Sequence, residues 1–440
     1  MKHRNRRNIG PREKTKVLYI VHSIPSGGIE TILLSLCKRA REREVEPFIC
    51  CLVSEGEGSR PFRDLKIPIR VLHAVSSASP LYLGRNLKAL MELYVHIREV
   101  SPHVVQAEMF FAGTLGRIAA YLSRVPVILH SYHNYYPWKG YFAKFLERQL
   151  AKLSNALIVP SEAVKEWTAK DLSIPQDQFY LISNGIDAKV LEDSKKECKT
   201  TLGFPEDAPV LCFCSRFVEQ KRPLFAAEVF LDLAKSSPSL HFLAVGDGPL
   251  RESFIDYCQD VSTRLHCPGR VDSTAFYLRA SDLLIMPSKR EGFGLVPGEA
   301  LLQDCLVLLS SLPPLLEVYG KLGKEYFLSP EADCSKWTER ARDLLSTREE
   351  RTSGLEPMKR AIKKSYGPEE MTRKYFELYR SKASKREVPQ SQAGPAEQSQ
   401  AGPAEQSQAG REASQEKRDQ RKQGKQPQIA TDDLKSSISD

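Results

Sequence analysis

Lys289-Arg290-Glu291-Gly292-Phe293-Gly294-Leu295-Val296-Pro297-Gly298-Glu299 is a glycine-rich loop that runs into a helical pattern. It follows the apolar run 281–286, which reads as a strand, and precedes 296–303, which reads as a helix. A loop of this kind exposes free backbone N–H groups at a helix N-terminus, a good seat for a diphosphate. Glu291 stands in the loop and Glu299 in the first turn of the helix. A carboxylate beside such a seat can accept hydrogen bonds from sugar hydroxyls. Glu299 also has a plainer reading, as a first-turn acid that complements the helix dipole.

Working outward, the same strand–loop–helix unit recurs along the chain. Strands are predicted at 16–24, 47–53, 69–74, 103–108, 126–133 and 156–160, with helices at 87–100, 113–124 and 141–153 between them. After the turn signal Asn184-Gly185-Ile186-Asp187 the pattern restarts. Strands then follow at 209–215, 240–245, 281–286 and 306–309, with a helix at 223–234. The strands are short, continuous and rich in Val, Ile and Leu, as expected of a parallel sheet covered by helices on both faces. Two α/β halves result, each of ordinary domain size.

Two further motifs sit where strands give way to helices. Ser26-Gly27-Gly28-Ile29-Glu30 follows the first strand, where Gly27 and Gly28 would let the backbone approach an anion. It is not Gly-x-Gly-x-x-Gly, so the dinucleotide fingerprint is absent. Ser215-Arg216-Phe217-Val218-Glu219-Gln220-Lys221 leaves the first strand of the second half. Arg216 and Lys221 could converge on one diphosphate, the first as a fork and the second as a point charge, or could be two solvated loop cations.

Composition bounds the rest. The 440 residues carry 64 Lys+Arg against 55 Asp+Glu, a net charge of +9, with 41% hydrophobic and 27% charged residues. That is a soluble globular balance. No apolar run reaches a membrane span, and the first, Val17 to Val21, is too short for a signal-peptide core. Much of the positive charge lies in residues 1–16, read as a flexible basic arm able to meet an anionic membrane surface. A short basic arm without a binding module gives no nucleic-acid reading. The ten cysteines are scattered without zinc spacing and read as reduced thiols of a cytosolic chain. Ser391–Gln398 repeats as residues 399–406, and 385–440 reads as a disordered tail too polar to offset the entropy of ordering.

Taken together, the motifs resemble those of glycosyltransferase family 4, whose members are retaining, nucleotide-sugar-dependent enzymes of the GT-B fold. The resemblance covers residues 17–380. It rests on Gly27-Gly28, Ala112-Gly-Thr-Leu-Gly-Arg117, Val159-Pro-Ser161, Asn184-Gly-Ile-Asp187, Arg216 with Lys221, Val245-Gly-Asp-Gly-Pro-Leu-Arg251, and above all Glu291-x7-Glu299. It implies two facing Rossmann-like domains, an acceptor domain over 17–186 and a donor domain over 187–365, with a helix over 366–380 crossing back to the first.

The resemblance also implies roles. Arg216 and Lys221 would neutralise the departing diphosphate. Glu299 would hold the nucleotide ribose. Glu291 and the loop Gly292, Phe293, Gly294 and Leu295 would line the donor sugar and phosphates, with Gly27 and Gly28 across the cleft. His133 would contact the transferred sugar, with His130 as the competing candidate. No Asp-x-Asp occurs, so no metal and no cofactor are expected, the nucleoside diphosphate sugar being a co-substrate. The expected reaction moves a hexose or N-acetylhexosamine from a UDP- or GDP-sugar to a glycan or glycolipid. The place is the cytoplasm or the inner face of the membrane, in cell-surface glycan synthesis. A nucleotide-sugar epimerase and a non-catalytic GT-B protein are the alternatives.

The sequence departs from the family at Pro313-Pro314, where a Gly-Gly pair is usual, and at Gln106-Ala107-Glu108, where a histidine is usual. The segment Ser131-Tyr132-His133-Asn134-Tyr135-Tyr136-Pro137-Trp138-Lys139-Gly140-Tyr141-Phe142 is unusually aromatic. It reads either as an acceptor or lipid surface, with Lys139, Lys144, Arg148 and Lys152, or as rings that are half core.

Overall fold

The computed structural model describes residues 14–24, 27–75, 83–137, 140–187 and 191–384. The basic arm lies outside the described residues as far as residue 13, as do the repeat tail, Trp138 and Lys139.

The first sheet has seven strands: β1 (Thr15–Val21), β2 (Val45–Cys51), β3 (Ile69–Val71), β4 (Val104–Glu108), β5 (Val127–Ser131), β6 (Ala156–Val159) and β7 (Phe179–Leu181). Their order is β3-β2-β1-β4-β5-β6-β7, and every neighbouring pair is parallel. The second sheet has six: β8 (Val210–Cys214), β9 (His241–Val245), β10 (Leu265–Gly269), β11 (Leu283–Met286), β12 (Leu306–Ser310) and β13 (Phe327–Leu328). Their order is β10-β9-β8-β11-β12-β13, again parallel throughout. Both sheets are doubly wound. Each has a topological switch point, between β1 and β4 and between β8 and β11, beyond whose carboxyl ends ligands bind in this architecture.

The strands form where the apolar runs are. Val17 to Val21 are at most 1% exposed, and Val210 to Phe213 are fully buried, because helices cover both faces. Each such side chain contributes roughly 1.5–3 kcal/mol on burial. Helix Gly28–Ala40 lays Ile32, Leu33 and Leu36 on one face of the first sheet. Helices Leu83–Val100 and Phe110–Leu122 cover the other face through Ala89, Leu93, Ala112 and Ala119.

Some boundaries differ from the sequence reading. β1 opens at Thr15, whose N–H donates to the Glu44 carbonyl at 2.8 Å, so residues 15 and 16 belong to the sheet and not to the arm. The returning helix runs Pro368–Ser384, and Tyr366 caps the preceding helix, Glu356–Ser365. Residues 365–368 and 184–186 cross between the halves side by side. The Ile186 N–H donates to the Tyr366 carbonyl at 2.7 Å, and the Gly185 N–H reaches the Met371 sulfur at 3.0 Å. The returning helix then packs Met371, Tyr375, Phe376 and Tyr379 under the first sheet.

Candidate active site

The sequence motifs sit on the loops that leave the two switch points. After β8, residues 215–217 are gripped by the Gly246-Asp247-Gly248 turn that follows β9. The Phe217 N–H donates to the Asp247 carbonyl at 2.9 Å, and a β-carbon on Gly246 would lie 1.9 Å from the Ser215 carbonyl. Only glycine allows that approach. It fixes the backbone beneath Arg216, whose side chain is exposed and has no partner among the described residues.

Lys221 lies a turn further on and forms an ion pair with Glu291, most of both side chains being buried. The Ser288 hydroxyl donates to the same Glu291 oxygen at 2.8 Å. Gln220 ties the loops together, accepting from the Lys289 N–H and donating its amide to the Arg290 carbonyl, both at 2.8 Å.

Gly292 is where the halves meet. A β-carbon there would lie 1.9 Å from the His133 carbonyl, and the Gly292 carbonyl accepts from the Ser161 hydroxyl at 2.9 Å. Phe293 differs from expectation. Its ring is 2% exposed and packs edge-on to Tyr366 at 5.5 Å, so it belongs to the core and not to the loop's open face. Gly294 caps helix Leu295–Leu302, its carbonyl accepting from Tyr319 OH. Leu295 faces Gly28 across the gap, 3.4 Å from where a Gly28 β-carbon would stand. Gly27 caps helix Gly28–Ala40, so two helix N-termini point at one space.

Glu299 is half-buried one turn into its helix and accepts from the Thr274 hydroxyl at 2.8 Å. Burial pushes its carboxyl above the ordinary value; nearby Asp187 adds to this and Thr274 opposes it.

His133 lies at the rim of the same gap, and its Nε2 is 2.6 Å from Glu108 Oε2. His130 is fully buried, its Nδ1 2.9 Å from the Ala107 carbonyl and its ring beside the Arg117–Glu147 pair. The geometry therefore separates the two histidines, with His133 at the rim and His130 inside.

Behind His133 stands a buried polar chain that sequence reasoning missed. Glu108 accepts from the Gln106 amide at 2.6 Å, and Gln106 accepts from Tyr379 OH at 2.6 Å. Burial alone would raise the Glu108 carboxyl, but His133, Gln106 and Ser131 together hold it below its ordinary value. Glu108 thereby orients the imidazole. The one available signal was the polar interruption of an apolar strand at Gln106.

Of the aromatic segment, Tyr132 and Tyr136 are core and Tyr135 is half-buried against Trp167. Tyr141 and Phe142 are exposed. Pro313 and Pro314 open helix Pro313–Tyr319, where an absent N–H costs the helix nothing. All ten cysteines are free thiols. Among the described residues no group of three or more His, Cys, Asp and Glu could hold a metal ion.

Glu317, from the second half, accepts from the Glu162 and Ala163 N–H groups at 2.9 and 3.1 Å, at the N-terminus of helix Glu162–Leu172. A carboxylate so placed and exposed is worth about 0.3–1 kcal/mol. Glu317→Ala should therefore shift the unliganded protein toward an open cleft. Small-angle scattering should report a larger radius of gyration with little change in melting temperature; unchanged scattering would mean that the Glu317 contact does not hold the two halves together.

Two family models match the chain: Glycosyltransferase Family 4 over residues 26–190 and Glycosyl transferases group 1 over 194–361. The fold and these matches define a GT-B glycosyltransferase. The chain belongs to glycosyltransferase family 4. It is 28% identical over 277 residues to the UDP-Gal:alpha-D-GlcNAc-diphosphoundecaprenol alpha-1,3-galactosyltransferase of Escherichia coli, covering 58% of this chain and 69% of that protein. It is 26% identical over 247 residues to the alpha-monoglucosyldiacylglycerol synthase of Acholeplasma laidlawii, covering 50% and 61%. The structure of Anabaena Alr3699/HepE in complex with UDP and glucose superposes with a TM-score of 0.72 at 17% identity, over 83% of this chain and all of that one. Among the described residues no helix is long and apolar enough to cross a membrane.

Proposed function

We propose that this chain is a retaining glycosyltransferase that moves a hexose or N-acetylhexosamine from a nucleoside diphosphate sugar, UDP-sugar before GDP-sugar. The acceptor is a glycan or glycolipid made for the cell surface, reached at the cytoplasmic side with peripheral contact to anionic membrane. The observation that carries the reading is the approach of two helix N-termini, at Gly28 and Leu295, next to the loop whose Glu291 pairs with Lys221. Those groups suit the charge that develops on a departing diphosphate. Relatives named for a UDP-sugar and for lipid-borne acceptors support it.

In this reading the bond between the sugar's anomeric carbon and the phosphate oxygen breaks as the acceptor oxygen attacks from the same face. The acceptor's hydroxyl proton passes to the departing phosphate oxygen. Lys221 exchanges Glu291 for the diphosphate, and Arg216 closes on the same group. Glu291 is then free to accept from a sugar hydroxyl, Glu299 from the ribose, and His133, held by Glu108, turns its other nitrogen to the sugar. These cations and N–H groups carry the diphosphate charge without a divalent ion.

The test is a thermal-shift screen with UDP, GDP, ADP and their sugar conjugates. One nucleotide series should raise the melting temperature, as any ligand bound by the native state alone does. Glu299→Ala should abolish that shift, and Arg216→Ala should lower turnover about 10²–10³-fold. Full turnover by the Glu299→Ala/Arg216→Ala double variant would end the proposal.

A further inference from the structure

The exposed large apolar side chains are unevenly placed. Among the described residues of the second half only Tyr257 and Leu316 qualify, while the first half carries a group on three neighbouring helices. Helices Leu83–Val100, Phe110–Leu122 and Tyr141–Ala151 follow β3, β4 and β5 in turn and pack side by side. Right-handed crossovers set all three on one face of the sheet, opposite Gly28–Ala40 and the returning helix. The second begins two residues after β4 ends, and the first and third begin 12 and 10 residues beyond β3 and β5. Each runs back against the direction of its strand, so all three start toward the carboxyl ends of the strands, where the cleft lies.

The two most exposed, Tyr141 and Phe142, stand at the start of the third helix, while Tyr94, Val95, Tyr121 and Leu122 lie on later turns of the first two. Tyr141 is 96% exposed, Phe142 77% and Phe145 57%, all within five residues of the start of the third helix. Met109 caps the second helix, and Leu87 and Met91 stand on the early turns of the first. The inward face of the third helix is already spoken for by Glu147, Leu150 and Ala151, so its rings have no core to enter. Exposed apolar groups gathered on one rim mark an interaction surface.

The charges around them choose the partner. Arg85 and Lys88 flank Leu87, while Lys144 and Arg148 flank Phe145. Acids are fewer there, Glu92 being 3.7 Å from Lys88 and Asp171 2.5 Å from Lys144. Aromatic rings with a cationic fringe suit the boundary between anionic headgroups and acyl chains. We propose that this rim is the protein's bilayer-docking surface. It seats Tyr141, Phe142 and Phe145 among anionic phospholipids and turns the cleft mouth toward the membrane, where a lipid-borne acceptor would lie. The inference deepens the glycolipid-acceptor reading and rests on it for that last step.

The experiment is co-sedimentation of the full chain with vesicles of phosphatidylglycerol and phosphatidylcholine in equal parts. The wild type should pellet with them, less so at high salt. Phe142→Ser/Phe145→Ser should lose about tenfold or more in partitioning, and Tyr257→Ser in the other half should lose none. The nucleotide-induced thermal shift of the double variant should stay as in the wild type, which keeps this result separate from the donor-site proposal. Four outcomes would overturn the inference: no pelleting of the wild type, equal pelleting of the double variant, equal pelleting with phosphatidylcholine alone, or a lipid-free dimer that the double variant dissolves. The last would assign the rim to a second copy of the chain.

Discussion

Gly292→Ala should leave a protein that binds nucleotide yet turns over about 10²-fold more slowly. The added methyl would lie 1.9 Å from the carbonyl oxygen of His133; the one is fixed rigidly to its α-carbon and the other belongs to main chain, so neither can swing aside. Relief requires the loop to withdraw by about 1 Å or more, a misplacement of the size that costs roughly 10²-fold when reacting groups must be held in register. Withdrawal also breaks the 2.9 Å bond from Ser161 to the Gly292 carbonyl. The nucleotide contacts proposed for Arg216, Lys221 and Glu299 all lie in the second half and do not depend on that closure. Calorimetric nucleotide binding near the wild-type value, with turnover reduced, is the expected pair of results. Wild-type turnover would mean that the contact between Gly292 and His133 plays no part in the reaction.

Lys221→Ala should be costly twice. It strips the Glu291 carboxylate of its ion-pair partner, leaving a mostly buried charge held by the Ser288 hydroxyl. Removing one member of a buried pair typically destabilises by about 3–5 kcal/mol. It also removes a cation proposed to meet the leaving diphosphate, worth about 10²–10³-fold in turnover. The companion Lys221→Ala/Glu291→Gln separates the effects, since it removes the orphaned charge but not the need for a cation. The double variant should recover much of the melting temperature and little of the turnover. Recovery of both would place Lys221 in a structural role alone.

The framework was legible because burial on both faces leaves so plain a mark. The runs around Val17, Val127, Val210 and Leu306 are continuous and apolar, and each became a strand within three residues of its predicted ends. The short edge strands Phe179–Leu181 and Phe327–Leu328 were not legible, since two or three residues carry no period. Motif position also misled. Phe293 lies between glycines that face the cleft, yet its ring fills the space beside Tyr366, and nothing in the motif tells side-chain direction from backbone course.

The two histidines differ by register. His130 lies within β5 and points to the interior, whereas His133 lies two residues beyond that strand's end. The chain from Tyr379 through Gln106 to Glu108 escaped notice because it joins positions 273 residues apart, and a single sequence carries no trace of such a pairing.

The side-by-side crossings at 184–186 and 365–368 carry a mechanical meaning. A single linker would act as a ball joint and let the halves twist and splay in any direction. Two linkers bonded to each other, Ile186 to Tyr366 at 2.7 Å, act as a hinge pin. Rotation about the line of the pin stays easy, and torsion across it is resisted. The loop at Gly292 is then returned to the same seat on every swing, because the joint lies directly against it, with Tyr366 packed on the Phe293 ring at 5.5 Å.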